Sequence, residues 1–297
     1  KIHMLYNGPQ LAYDIDSNGG DLYLKTSKVS ITDSRFEGSF SYSAAFIYAG
    51  ECDVLLNGLI LENSVVSSKL MNLESSFVTM NNTVIRNIYN IEYASLFDFI
   101  SGLFVADNIQ MYNSGTNKGA AFRFIAMNVE ISNSDFNNCS LGVYGIFSIY
   151  SYSNVSISNT VLRSITSRSV GSSLYLEDHS VANLKDVILL NNTSLNGGSI
   201  YISLTSHIYA ENVSFISNSA EESGGAIYLS SFSQVEIDSS SFHSCWSPSG
   251  GAIYAVSGAR VTVRNTSFVK NRAPYSGGVI NAYNYVLVSI ENSIIDN

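Results

Sequence analysis

Two short runs carry the residue types that could do chemistry: Glu177-Asp178-His179, a contiguous acid–imidazole run, and the carboxylate pair Glu221-Glu222. A glycoside-cleaving site needs two carboxyl groups placed across the scissile bond, and either run supplies them. Both fall in turns beside short strand-like segments, so a solvated turn is the favoured reading. His179 and His207 lie in equivalent loops of neighbouring repeats and could in principle share a metal. With no carboxylate or thiol reliably beside them, surface histidines are expected instead. Cys52, Cys139 and Cys245 match no zinc-ligand spacing and cannot all pair with one another. The residues thus name no catalytic group, no metal ligand and no cofactor.

The elements that position these runs repeat. The stretch Gly224-Gly225-Ala226-Ile227-Tyr228 recurs as Gly250-Gly251-Ala252-Ile253-Tyr254, follows Gly197-Gly198-Ser199-Ile200-Tyr201, and returns as Gly277-Gly278-Val279-Ile280. The apolar residue after the glycines marks each unit. It falls on Leu22, Phe46, Leu70, Leu96, Phe122, Ile146, Leu174, Ile200, Ile227, Ile253 and Ile280, giving about eleven units of about 26 residues. A second segment in each unit reads apolar-x-apolar, from Val29/Ile31 through Val155/Ile157 to Val288/Ile290. Such period-two alternation is what a strand with one buried face requires.

Two residues later comes a small polar slot (Asp33, Gly58, Asn82, Asn108, Asn133, Asn159, Asp186, Asn212, Ser239, Asn265, Asn292), and three residues on a large apolar one such as Phe215, Phe242 or Phe268. Asn at a tight turn tolerates the left-handed region, and stacked amides can bond one another. The slot is expected to point into the turn. A three-strand unit of this size cannot bury its own apolar face, so neighbouring units must stack. The expected fold is all-β: a right-handed parallel β-helix, its hand taken from the usual crossover preference, with a body of roughly 50 Å at one strand spacing per coil. Residues 1–297 read as one such domain, with 1–18 a lead-in and 19–297 repeats, and as a segment of a longer chain.

Composition agrees and excludes some partners. Charged residues make up only 13% of the chain and the net charge is −9, with no basic cluster, so nucleic acid is not an expected partner. No apolar run reaches the roughly 20 residues of a membrane span.

The Gly-Gly-Ala-Ile stretches at 224–227 and 250–253, with Phe-x-x-Asn at Phe215–Asn218 and Phe268–Asn271, resemble the repeats of chlamydial polymorphic outer-membrane proteins and similar repeats of protist surface proteins. The clear motifs cover about residues 195–297. In the Phe-x-x-Asn slot Ser39, Ser64, Ile88, Ser114, Cys139, Ile165 and Cys245 depart from the pattern. The resemblance implies a β-helix and extracellular surface display or adhesion.

Three surface features follow from the repeat phase. The residue after each marker should face outward: Tyr23, Ile47, Met71, Phe97, Arg123, Phe147, Tyr175, Tyr201, Tyr228, Tyr254 and Asn281. Tyr175, Tyr201, Tyr228 and Tyr254 then line four successive coils, as sheet packing or as a contact surface for protein or sugar. The charged slot after the second strand pairs Lys185–Glu211, Asp238–Arg264 and Arg264–Glu291 across rungs, a cross-strand effect of a few tenths of a kcal/mol. Seven N-x-S/T sequons are present at Asn81, Asn138, Asn154, Asn191, Asn192, Asn212 and Asn265. Asn81, Asn138, Asn154 and Asn191 are the expected glycan acceptors, and Asn212 and Asn265 should be hidden in the turn slot.

These features point first to a non-enzymatic extracellular or cell-surface rod, structural, adhesive or filament-forming. Its expected partners are other protein chains, further repeats of the same chain, or glycans. The alternatives are a carbohydrate-active β-helix and an autotransporter passenger. The sequence holds no polygalacturonase-like Asn-Thr-Asp or Gly-His-Gly motif, and no lyase-like set of Asp ligands with neighbouring Arg and Lys.

Overall fold

The structure, a computed structural model, describes residues 2–5, 22–37, 40–41, 47–67, 69–92 and 94–297. Each coil contributes a strand to each of three long parallel ladders. In one coil these are Ile200–Ile202, His207–Glu211 and Ser214–Ile216, and each pairs in parallel with its counterpart in the next. A short fourth ladder, unforeseen in the three-strand reading, runs through Thr166–Ser167, Thr193–Asn196 and Ser219–Ser223 before the glycine turn. Ahead of the coils, Ile2–Leu5 lies antiparallel to Lys28–Thr32.

The second ladder follows the sequence throughout. Val29, Val54, Val78, Phe104, Val129, Val155, Ala182, Ile208, Val235, Val261 and Val288 form one in-register column. This regularity reflects strict alternation, since a one-residue slip would turn the whole apolar set to solvent.

The first ladder departs from the expected phase in the early coils. Its inward column is Ile47, Met71, Phe97, Phe122, Phe147, Leu174, Ile200, Ile227, Ile253 and Ile280, with Leu22 the backbone register partner of Ile47. The expected markers Leu70, Leu96 and Ile146 are one residue early, and Phe46 lies outside the described residues, as does Ser39. Ile47, Met71, Phe97 and Phe147, expected outside, are buried in the core. Two adjacent apolar residues satisfy the pattern equally well, and Leu96 and Ile146 are buried too, in the bend entering the strand. From Ser151 onward the turn after this ladder holds two consecutive left-handed residues (Ser151-Tyr152, Asp178-His179, Leu204-Thr205, Ser231-Phe232), where earlier coils hold one (Glu51, Ser75, Ser101, Ala126). That lengthens the later coils.

Both corners flanking the third ladder use left-handed residues. Every member of the polar slot from Asp33 to Asn292 has positive φ, as the turn argument requires. Its direction is the reverse of that expected. Asn212 and Asn265 are exposed, and their amides bond Asp186 Oδ1 at 2.5 Å and Asp238 Oδ1 at 2.9 Å on the outside of the corner. The residue that turns inward is the next one. At this position Ser240 and Thr266 accept from the preceding coil's backbone N–H, of Val213 and Ser240 respectively, and donate to their own chain's carbonyl two residues back.

At the second corner the Asn of Phe-x-x-Asn is the inward residue. Asn218 is buried, donates to Leu189 C=O at 2.8 Å and accepts from Asn192 N–H at 3.0 Å. Buried polar groups must find such partners. Ser64, Ile88, Ser114, Cys139, Ile165 and Cys245 fill the same slot and are all buried. Phe215, Phe242 and Phe268 stack inside, with ring centroids 4.3 and 4.8 Å apart.

The double glycine has two separate causes. Gly224 has φ of +69°, which favours glycine. Gly225 has no such φ, but a Cβ there would sit 2.1 Å from the Gly251 carbonyl oxygen of the next coil.

Candidate functional site

The outward column of the first ladder holds the most organised surface of the molecule. Tyr175, Tyr201, Tyr228 and Tyr254 are paired in register. Their rings stack with centroids 5.5, 4.8 and 5.3 Å apart and interplanar angles of 13°, 3° and 15°. Tyr201 and Tyr228 each have a neighbouring ring over both faces. What remains outward is ring edges and phenol oxygens, so the inner rings offer no open face for stacking a sugar, which needs one.

Tyr144 and Tyr150 close the upstream end, with centroids 4.8 and 5.5 Å from Tyr175. Sequence reasoning missed both. Tyr144 sits between Gly142 and Gly145 in the turn leading to the ladder, a signal a glycine-centred reading could have used. Tyr175 is only 8% exposed as a result, while the other three are half-buried. Burial pushes the Tyr175 and Tyr201 phenols above their ordinary value and that of Tyr228 up to about 12.

Earlier in the same column the tyrosines give way to ions. Asp98 is buried under a bidentate Arg123 (2.9 and 2.6 Å) and Lys69 (2.6 Å). On the third ladder, Glu62 is clamped between Arg35 and Arg86, and the hydrogen bond from Arg86 holds its carboxyl below the usual range. Both are closed by their partners, as buried charges must be.

The acidic runs are separated by the fold. Glu177 belongs to the stack: its Oε2 accepts from Tyr175 at 2.5 Å and its Oε1 from Ser203 at 3.5 Å. Asp178 and His179 form the left-handed turn, bonded to each other at 3.2 Å, with His179 stacked on Tyr152 at 4.9 Å. His207 instead stacks on Tyr209 at 4.0 Å and lies 3.4 Å from Glu236; burial holds its imidazole below the ordinary value. The two histidines therefore keep different company. Glu221 and Glu222 are exposed, and Glu222 accepts from Asn196 at 2.8 Å. Among the described residues no group of three His, Cys, Asp or Glu side chains could hold a metal ion.

All three cysteines are free and buried; burial pushes Cys139 and Cys245 up to about 12. Lys185–Glu211 and Arg264–Glu291 pair at 3.3 and 3.5 Å. Asp238 turns instead to Asn265 and Ser239, whose hydrogen bonds lower its carboxyl. Of the sequon residues, Asn138, Asn154, Asn191, Asn212 and Asn265 are exposed, Asn81 is half-buried, and Asn192 is fully buried. Among the described residues no helix is long and apolar enough to cross a membrane.

Stacked coils with parallel ladders on every side define a parallel β-solenoid repeat protein. Within it, residues 212–230 match the family model of the Chlamydia polymorphic membrane protein repeat, so the resemblance carried by the Gly-Gly-Ala-Ile and Phe-x-x-Asn motifs holds there. No curated protein sequence matches the chain. Among solved structures, the A-module of the Azotobacter vinelandii mannuronan C-5 epimerase AlgE4 is similar at 9% identity and a TM-score of 0.25, over 95% of this chain and 90% of that one. A Yersinia enterocolitica family 28 exopolygalacturonase is similar at 8% identity and a TM-score of 0.22, over 91% and 72%.

Proposed function

We propose that this chain is a non-enzymatic rod of the cell surface or extracellular space, structural or adhesive, whose contact face is the tyrosine stack. The observation that carries the reading is the stack itself: four in-register tyrosines whose outward edges pair apolar carbon with a phenol oxygen. Such side chains suit interfaces that must stay soluble when free. The resemblance of residues 212–230 to a repeat of surface-associated membrane proteins supports the location. None of the seven sequon residues lies on the first ladder, so glycans at Asn81, Asn138, Asn154 and Asn191 would leave this face bare. The covered ring faces favour a protein partner, another rod or a second copy, over a sugar.

The test is Tyr201→Ser with Tyr228→Ser, compared with Tyr285→Ser off the stack, in assays of self-association and of binding to cell surfaces. Loss in the double variant alone, with its β-sheet spectrum kept, is the expected result; association unchanged in all variants rejects the contact face. Turnover of a polysaccharide that disappears in Glu177→Gln or Glu222→Gln would replace the rod by a carbohydrate-active enzyme.

A further inference from the structure

The tyrosine stack also meets the requirements of a covalent modification. Tyr201 and Tyr228 are its closest and most parallel pair, with ring centroids 4.8 Å apart at 3°, against 5.5 Å at 13° and 5.3 Å at 15° for the flanking pairs. Their backbones are register partners in a ladder, so the two rings cannot drift apart as loop tyrosines can. Both are half-exposed, which admits a small oxidant. The thiols that would otherwise be oxidised first, Cys52, Cys139 and Cys245, are buried in the core. The close phenylalanine stacks, Phe97–Phe122, Phe215–Phe242 and Phe242–Phe268, are buried in the core and carry no phenol.

We propose that Tyr201 and Tyr228 form an oxidative cross-linking site, joined as an intramolecular dityrosine by one-electron oxidants of the peroxidase or photochemical kind. Each phenol gives one electron to the oxidant and its hydroxyl proton to water. The two phenoxyl radicals carry spin on the ring carbons ortho to oxygen. One carbon–carbon bond forms between these carbons, and the two ring protons at the new bond move to the oxygens and restore both phenols. Two electrons and two protons leave in all. The product staples adjacent coils across the outward face of the first ladder. This inference stands on ring geometry and does not require the stack to bind a partner.

The experiment exposes dilute purified protein to a ruthenium photosensitiser with persulfate and, separately, to peroxidase with hydrogen peroxide. Dityrosine fluorescence and peptide mass spectrometry of the monomer fraction are the readouts. The expected result is a cross-linked peptide pair containing Tyr201 and Tyr228, lighter by two hydrogens than the sum of its parts. Tyr201→Phe, which keeps the ring and the packing, should remove that species while the β-sheet spectrum is unchanged. The proposal fails if the monomer yields no dityrosine, if its cross-links join only tyrosines outside the stack such as Tyr275, Tyr283 and Tyr285, or if the signal persists undiminished in Tyr201→Phe.

Discussion

The phenol of Tyr175 donates a 2.5 Å hydrogen bond to the carboxylate of Glu177, two residues along the same face, at the covered end of the tyrosine stack. Burial first, and this bond second, hold the Tyr175 phenol above its ordinary value, and burial does the same for Tyr201 and Tyr228.

An alkaline stability limit follows. A phenol whose folded pKa exceeds its unfolded value contributes stability that is fully present below the unfolded value, about 10. That stability is lost as pH rises through the folded value, about 12 for Tyr228. The urea midpoint should therefore fall between about pH 10 and about pH 12. Replacing Tyr175, Tyr201 and Tyr228 by Phe should flatten the fall. An equal slope in both proteins would show that the stack is not its source.

Glycan occupancy should discriminate between two adjacent sequons. Asn191 is exposed at a left-handed corner, while Asn192 is buried and bonds Leu162 C=O at 2.9 Å through its amide. In a eukaryotic secretory host, glycopeptide mass spectrometry should find sugar at Asn191, with Asn81, Asn138 and Asn154 as further acceptors, and none at Asn192. Sugar at Asn192 would contradict the inward corner. Asn212 and Asn265 are open to solvent, so their position no longer excludes them.

Asn218→Ala removes the amide that bridges two coils. It strands the Leu189 carbonyl and the Asn192 N–H, both otherwise satisfied by that side chain. Leaving buried groups unpaired costs about 1–3 kcal/mol each, so urea denaturation should show a loss of at least about 1 kcal/mol. Ser217→Ala, at the exposed neighbour, should cost less. Its left-handed φ of 51° is the reason it is not neutral. A smaller loss at Asn218 than at Ser217 would mean the internal amide ladder does not hold the corner.

The sequence by itself determined the repeat, the parallel stacking and the inward columns of the second and third ladders. In the later coils of the second ladder apolar and polar residues alternate, as at Val235-Glu236-Ile237, and period two leaves a single solution; in the third ladder a large residue such as Phe215, Phe242 or Phe268 marks the inward position. The positive φ of the polar slot was legible for the same reason, since Asn, Asp and Gly are the residues that tolerate it.

Only the tertiary structure decided the phase of the first ladder in the early coils. Leu70-Met71, Leu96-Phe97 and Ile146-Phe147 each offer two apolar residues to one position, and pairing with the next coil selects the second. It also decided which Asn turns inward. At the first corner the left-handed residue projects outward and its successor enters, as with Asn265 and Thr266, and at the second corner the Asn is that successor, as with Lys270 and Asn271. The stack depends on the fold most of all. Tyr175, Tyr201, Tyr228 and Tyr254 were visible as a column, but ring orientation and the cover from Tyr144, Tyr150 and Glu177 arise from contacts between side chains that only coil stacking brings together.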